Sequence, residues 1–269
     1  MTMLFWILRI LLLFILLVIL VWVAGYIYSN DFSVQTKSLK DFNNRKILVI
    51  FPHADDEALS AGGVLSKLAG YGANLRWIIL TKGEKGTPNG EMNESLKQIR
   101  IDESRRTAEI LHVDSVIQGD FPDGGLNSAD KKLNQYIEQQ IDDFKPDLVL
   151  TYDLSGLYGH PDHIAASEIT TRIISNRPKT QLWYVSFPKR ILATITLPTH
   201  MAEDVNFTNR RMNPTHKIWV GIRGIWNKIR ISYVYESQGG SSSKNMPVKF
   251  IPFWFYISLT PYEYFYELK

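Results

Sequence analysis

Two short polar runs hold the residues best able to do chemistry: Pro52-His53-Ala54-Asp55-Asp56-Glu57 and Tyr158-Gly159-His160-Pro161-Asp162-His163. Imidazole and carboxylate together form a nitrogen–oxygen donor set suited to a hard-to-borderline divalent metal. Residues three apart at a helix start can point the same way, so His53 can converge with Asp56, and His160 with His163. Pro161 suits a first helical turn, where its missing N–H costs nothing. The chain contains no cysteine. That excludes disulfides, thiolate metal sites and a cysteine nucleophile, so any transition metal must be held by His and carboxylate. Each run alone has a plainer reading. Asp at a strand-to-helix junction is often an N-cap, and Asp55, Asp56 and Glu57 also complement a helix dipole. Two such runs at correctly phased strand ends of one sheet point instead to a shared metal site.

Bringing the runs together requires strands and helices in alternation. The β-branched run at residues 46–51 predicts a buried strand. Apolar residues at helical spacing predict a helix over 57–71, closed by Gly72 as a left-handed cap. Further strands are expected at 75–80, 115–118, 147–151 and 181–186, and helices at 94–111, 129–144 and 161–175. This alternation predicts an α/β fold with a mostly parallel, doubly wound, Rossmann-like sheet and helices on both faces. Ligands in such sheets bind beyond the carboxyl ends of the strands, so the loops after Phe51, Leu80 and Thr151 should meet. No G-x-G-x-x-G follows the first strand, which argues against dinucleotide binding.

The 269 residues are 45% hydrophobic and 21% charged, enough for one sizeable domain with a true core. A net charge of +3 gives no reason to expect nucleic acid. Residues 10–28 are apolar or aromatic without a charge, and as a helix would span about 30 Å. Trp22, Tyr26 and Tyr28 collect at the end of that run, where amphipathic rings favour a membrane interface. The reading is a retained transmembrane anchor; the rival is a cleaved signal peptide, although no clear A-x-A site follows Ala24-Gly25. Flanking charges pull both ways and set no membrane side.

The expected division is an anchor at 1–29, a tether at 30–45, the catalytic-type domain at 46–238 and an aromatic-rich extension at 239–269. The extension reads as an edge strand or lid packed on the domain, or as an interfacial patch, with residues 239–243 as a flexible joint before it. Residues 218–230 mix Trp219 and Trp226 with basic side chains, as a membrane-lying helix would. His112, His200 and His216 lack motif context and read as surface histidines. Nothing in the pattern specifies an oligomeric state.

The His-x-Asp-Asp-Glu run after the first strand, with His-Pro-Asp-His far downstream, resembles the PIG-L (LmbE-like) N-acetylglucosaminyl deacetylase family. The resemblance also covers Thr81-Lys82-Gly83-Glu84, Arg100-x-x-Glu103, Asp120-Phe121-Pro122-Asp123-Gly124 and Tyr235-Glu236-Ser237-Gln238, so it spans about residues 46–238. Ala54 departs from it: the family usually has Pro there, and here Pro52 precedes His53, which keeps the spacing but removes a φ restraint.

The resemblance implies removal of the acetyl group from an N-acetylglucosamine-type sugar or glycoconjugate. It implies zinc on His53, Asp56 and His163 with a fourth position open to water, although Fe2+ suits the same ligands. Asp55 would then be the general base. His160, held by Asp162, would donate to the oxyanion, with Tyr158 facing the carbonyl oxygen. Arg100 and Asp123 would contact sugar hydroxyls or an attached group. Alternatively, Arg100 is an i,i+3 partner of Glu103 and Asp123 a turn residue before Gly124. Two other functions fit less of the pattern: a metal-dependent hydrolase of another amide or ester, and a non-catalytic anchored carbohydrate-binding protein.

Overall fold

An apolar N-terminal run and a series of β-branched segments set the architecture of the computed structural model, which describes residues 2–86, 93–192, 207–238 and 252–269. The long apolar run is helix α1 (Thr2–Ser29). Strand β1 (Gln35–Thr36) and one 3-10 turn (Lys40–Phe42) lead to β2 (Lys46–Phe51). Then follow α2 (Asp56–Ser60), α3 (Gly62–Gly70), β3 (Asn74–Thr81), α4 (Glu94–Leu111), β4 (Ser115–Phe121) and α5 (Lys131–Phe144). Next are β5 (Leu148–Tyr152), α6 (Gly156–Gly159), α7 (Pro161–Ile174), β6 (Gln181–Ser186) and the short helices α8 (Lys189–Leu192) and α9 (Phe207–Arg210). The chain ends with β7 (His216–Trp219), α10 (Gly221–Val234), α11 (Phe253–Leu259) and β8 (Tyr262–Leu268).

The eight strands form one sheet in the order β1-β7-β8-β6-β5-β2-β3-β4. All pairings are parallel except those of β8, which runs antiparallel between β6 and β7. From β2 the chain proceeds outward through β3 and β4, then returns to lay β5 on the other side of β2. That reversal is the switch point of a doubly wound sheet, and it opens a crevice beyond the ends of β2 and β5. Period-two alternation divides the core. Ile47, Val49 and Phe51 face α2, α3, α4 and α10, whereas Leu48 and Ile50 face α5 and α7.

Three expectations need correction. First, the single helix predicted over 57–71 is broken at Ala61, whose φ and ψ are −146° and 2°. Two forces act there. A Cβ on Gly62 would lie 2.7 Å from Ile231, and one on Gly63 2.6 Å from Val220, so only glycine lets α10 pack this close. The exposed amides of the new helix start are capped by Glu263, which accepts from Gly63 N at 2.9 Å and Val64 N at 2.7 Å. Second, the Tyr262–Leu268 part of the aromatic extension is not an edge strand, because β8 fills the interior of the sheet with Tyr264 and Phe265 buried. Third, His216 is buried rather than exposed, packed 4.4 Å from Trp183 and stacked on Phe265. His112 is exposed as expected. His200 and residues 239–243 lie outside the described residues.

The segment read as a tether is laid on the domain. Asp31 N donates to the Tyr264 hydroxyl at 2.7 Å, and Phe42 packs edge-on against Trp183 at 5.1 Å. Within Met3–Ser29 an 18-residue stretch has a mean hydropathy of 3.2, and the helix is long and apolar enough to cross a membrane. Its foot is docked. Trp22 donates to Ser258 Oγ at 3.0 Å, Asn30 to Leu259 O at 2.7 Å, and Arg190 to Asn30 O at 2.9 Å.

Candidate metal centre

The two polar runs meet at the switch point. After β2 the chain turns through Asp55, a non-glycine residue held at φ +93°. Asp55 occupies the N-cap position of α2, yet its side chain makes no capping bond. The capping explanation therefore fails for it, and the strained backbone aims its carboxylate elsewhere. After β5, Gly156 and Leu157 also take positive φ and bend the chain back. His160 then caps α7, its Nδ1 accepting from Asp162 N at 3.2 Å, and Pro161 fills the first turn. His163 follows within that turn and is fully buried beneath the loop.

His53 Nδ1 lies 3.2 Å from His163 Nε2. His163 Nε2 is 3.2 Å from Asp56 Oδ1, and His53 Nδ1 is 3.6 Å from Asp56 Oδ2. Tetrahedral ligands about 2.0–2.1 Å from a common zinc stand roughly 3.3 Å apart, and each pair of these residues comes to about that separation, the two imidazoles meeting different Asp56 oxygens. The ring nitrogens facing away fix the tautomers. His53 Nε2 is 3.1 Å from both the Asp123 and Asp162 carboxylates, so it carries the proton and leaves Nδ1 free to ligate. His163 Nδ1 faces Gly156 O at 3.2 Å, which leaves Nε2 free. Other donor groups also come close: His53, His160 and His163 form one cluster, and His53, Asp123 and Asp162 another. In the His53–Asp56–His163 set both outward ring nitrogens face acceptors.

Tyr152, which sequence reasoning passed over, supports the same set. Its hydroxyl donates to Asp56 Oδ1 at 2.9 Å, and its ring stacks on His163 at 4.2 Å. The only signal for it was its place as the last residue of β5.

Electrostatics separate the neighbouring groups. Burial alone would lower the His53 pKa, but the Asp123 and Asp162 carboxylates outweigh it and raise it to about 10. A divalent cation on Nδ1 would take the place of that proton. Burial pushes Asp56 up, but His163 and His53 outweigh it and hold the carboxyl below its ordinary value. Asp55 moves the other way: burial raises it to about 6, with Arg100 opposing. Its side chain remains 36% exposed, so it is open to water beside the triangle. Burial, then His163 and His53, lower His160 to about 3, which keeps it neutral. Tyr158 is raised by burial and then by Asp56, and its ring lies 5.2 Å from His163.

The surrounding residues brace this arrangement. Asp162 was expected to hold His160. Instead its carboxylate accepts from Gly124 N at 2.8 Å and Leu126 N at 2.9 Å, which turns it toward His53. Arg100 is buried; its guanidinium pairs with Asp55 at 3.3 Å and donates to Ala54 O and Gly83 O. Asp123 is buried on His53 and accepts from Lys85 N at 2.9 Å. Glu84, given no role from sequence, accepts from Asp123 N at 3.1 Å. Glu57 is buried and receives the Tyr235 hydroxyl at 2.6 Å, while Ser237 donates to Glu103 from both N and Oγ.

A family model described as PIG-L, GlcNAc-PI de-N-acetylase, matches residues 48–174. The 1D-myo-inositol 2-acetamido-2-deoxy-alpha-D-glucopyranoside deacetylase of Corynebacterium glutamicum (strain R) is 36% identical over an alignment of 154 residues, with 48% of this chain and 53% of that protein covered. The diacetylchitobiose deacetylase of Thermococcus kodakarensis is 36% identical over 148 residues, 54% of each. The chain thus spans about half the length of these curated relatives. Among solved structures, the 4-carboxy-2-hydroxymuconate hydratase of Pseudomonas putida KT2440 has a TM-score of 0.59 at 18% identity, covering 84% of this chain and 96% of that one. That likeness is one of fold alone. Carrying both polar runs on adjoining strand ends within the matched span, residues 48–174 of this chain form a PIG-L family domain.

Proposed function

We propose that the chain is a zinc-dependent deacetylase that hydrolyses the N-acetyl group of an N-acetylglucosamine-type amino sugar, and that α1 anchors it in a membrane. The observation that carries this reading is the His53–Asp56–His163 cluster, with the neighbouring Asp55 carboxylate paired to Arg100 and partly exposed. The names of the sequence relatives, deacetylases of an inositol-linked glucosamine and of diacetylchitobiose, support the substrate class.

Zinc held by His53, Asp56 and His163 would supply Lewis acidity, polarising the amide carbonyl and making water easier to deprotonate. The residues around it divide the remaining work. Asp55 is ionised at neutral pH yet more basic than an ordinary carboxylate, and takes the proton from the attacking water. His160 accepts a backbone N–H at Nδ1, so its Nε2 carries hydrogen and donates to the carbonyl oxygen as negative charge develops there. Tyr158 adds a second donor on that side. As the C–N bond breaks, the proton held by Asp55 passes to the leaving nitrogen, giving acetate and a free amine. Asp162 and Asp123 hold the His53 ring, and Arg100 holds Asp55; the sugar contacts implied for Arg100 and Asp123 are made from these braced positions.

The fold favours a membrane-linked glycoconjugate over a freely diffusing one. The foot of α1 is held by Ser258 and Leu259, just before β8, and by Arg190, just after β6. These positions lie at the carboxyl edge of the parallel strands, where the metal centre also lies. Only three strand spacings, about 15 Å, separate β8 from β2.

The test is release of free amine by the full chain in lipid nanodiscs, stripped of metal and reloaded with zinc. Its substrates would be N-acetylglucosamine linked to inositol, to a second sugar and to a lipid. Zinc-dependent release, fastest on the lipid conjugate, is the expected result. No release from any conjugate by protein shown to hold zinc would overturn the reading.

A further inference from the structure

Helix α10 buries Ile231 in the core, yet it also buries polar side chains and turns a second apolar face outward. Its buried side carries Asn227, Lys228 and Ser232, satisfied by Ser66 Oγ at 2.8 Å, Glu263 at 2.9 Å and Lys228 O at 2.7 Å. Its outer side presents Ile222, Trp226 and Tyr233, which are 82%, 60% and 48% exposed. Their spacing places them on one face of the helix. Trp219, just before the helix, is 49% exposed, and Trp254 on α11 is 51% exposed. Single exposed apolar residues need no explanation, but Ile222, Trp226 and Tyr233 grouped on one outward face, with Trp219 next to the helix, do.

Charge and position identify what covers it. Helix α10 has no acidic residue, and Arg223 and Arg230 are exposed among the apolar side chains. Basic and aromatic side chains sharing a helix face suit the headgroup layer of an anionic membrane. The patch is also continuous with the foot of α1. Trp219 pairs with Tyr262 across β7 and β8, and α11 packs against both α1 and α10.

We propose that the outer face of α10, together with Trp219 and Trp254, is a second membrane-contacting surface that lies in the headgroup layer of an anionic bilayer beside α1. The docked foot of α1 would otherwise leave the domain free to tilt about one point; two points fix its orientation. This rests on α1 crossing the bilayer and is independent of the reaction catalysed.

The absence of native cysteine makes the test direct. Single cysteines at Ile222→Cys, Trp226→Cys and Tyr233→Cys in the full chain would carry a nitroxide. Leu13→Cys on α1 and Lys132→Cys on the opposite sheet face serve as references. Protein is reconstituted into phosphatidylcholine vesicles with and without phosphatidylglycerol. Collision rates are compared for lipid-soluble oxygen and a water-soluble nickel chelate. The expected oxygen-to-nickel ratio at 222, 226 and 233 is severalfold above that at 132, below that at 13, and higher with the anionic lipid. Three results would overturn the proposal: ratios at 222 and 226 equal to that at 132; labels shielded from both reagents, as a protein partner would cause; or position 13 itself reading as aqueous.

Discussion

Asp55 and Asp56 are adjacent in sequence and opposite in behaviour. Asp56 faces two imidazoles and stays ionised, as the proposed ligand role requires, while Asp55 is raised to about 6 and is partly exposed. Asp55→Asn should therefore lower turnover by about 10²–10⁴ with zinc content unchanged, whereas His163→Ala should lose both. Metal analysis beside acetate release separates the two outcomes. Tyr152 predicts a different signature. Tyr152→Phe removes the donor to Asp56 Oδ1 and should weaken zinc by about 10–100-fold, with little change in turnover once zinc saturates. Chelator competition measures the first effect and saturated kinetics the second. The spacing of the two polar runs brought out His53 with Asp56 and His160 with His163 as converging pairs; the narrower ligand set of His53, Asp56 and His163 came from the family resemblance. Spacing could not reveal Tyr152, because a tyrosine ending a buried strand looks like core. Nor could it reveal that Asp162 serves His53, because two amides of the Gly124–Leu126 loop decide its direction.

The elements were legible where local pattern sufficed. The strand at 46–51 and the helix at 94–111 form as their apolar periods predict. The break at Ala61 was not legible, because it depends on α10 and Glu263, both distant in sequence. The same distance hid the place of β8, since its antiparallel insertion is set by tertiary pairing. The Lys228–Glu263 pair, 2.9 Å and buried, locks that insertion. Glu263→Ala leaves Lys228 buried and alone, and should cost about 3–5 kcal/mol. The double variant Lys228→Met with Glu263→Leu should cost less, and unfolding in detergent would rank the two.

Strand β7 adds a pH effect. Burial, reinforced by Lys37, lowers His216 to about 4 from 6.5. Between those values the unfolded chain binds a proton that the folded chain does not. Stability therefore rises with pH through this window and is lost on acidification, by up to about 3 kcal/mol. His216→Phe should show a smaller loss than wild type when thermal unfolding is compared at neutral and mildly acidic pH.

At the scale of the whole molecule, the docked α1 and the candidate metal centre share one edge of the sheet. A Cβ on Gly25 would lie 2.9 Å from Leu259, so Gly25→Phe should lift the foot of α1 from α11 while leaving its apolar length intact. Vesicle flotation should be unchanged. Turnover of a lipid-linked sugar should fall severalfold against that of a soluble conjugate; equal losses on both would show that the docking does not orient the site. The apolar run was plain in the sequence, but its docking was not, because it uses Ser258, Leu259 and Arg190 from far along the chain. The most direct test of the central claim is acetate release by the metal-free full chain as zinc is added stepwise. Activity should rise linearly and break at one zinc per chain. Full activity without metal, or no release at any occupancy, would contradict the account.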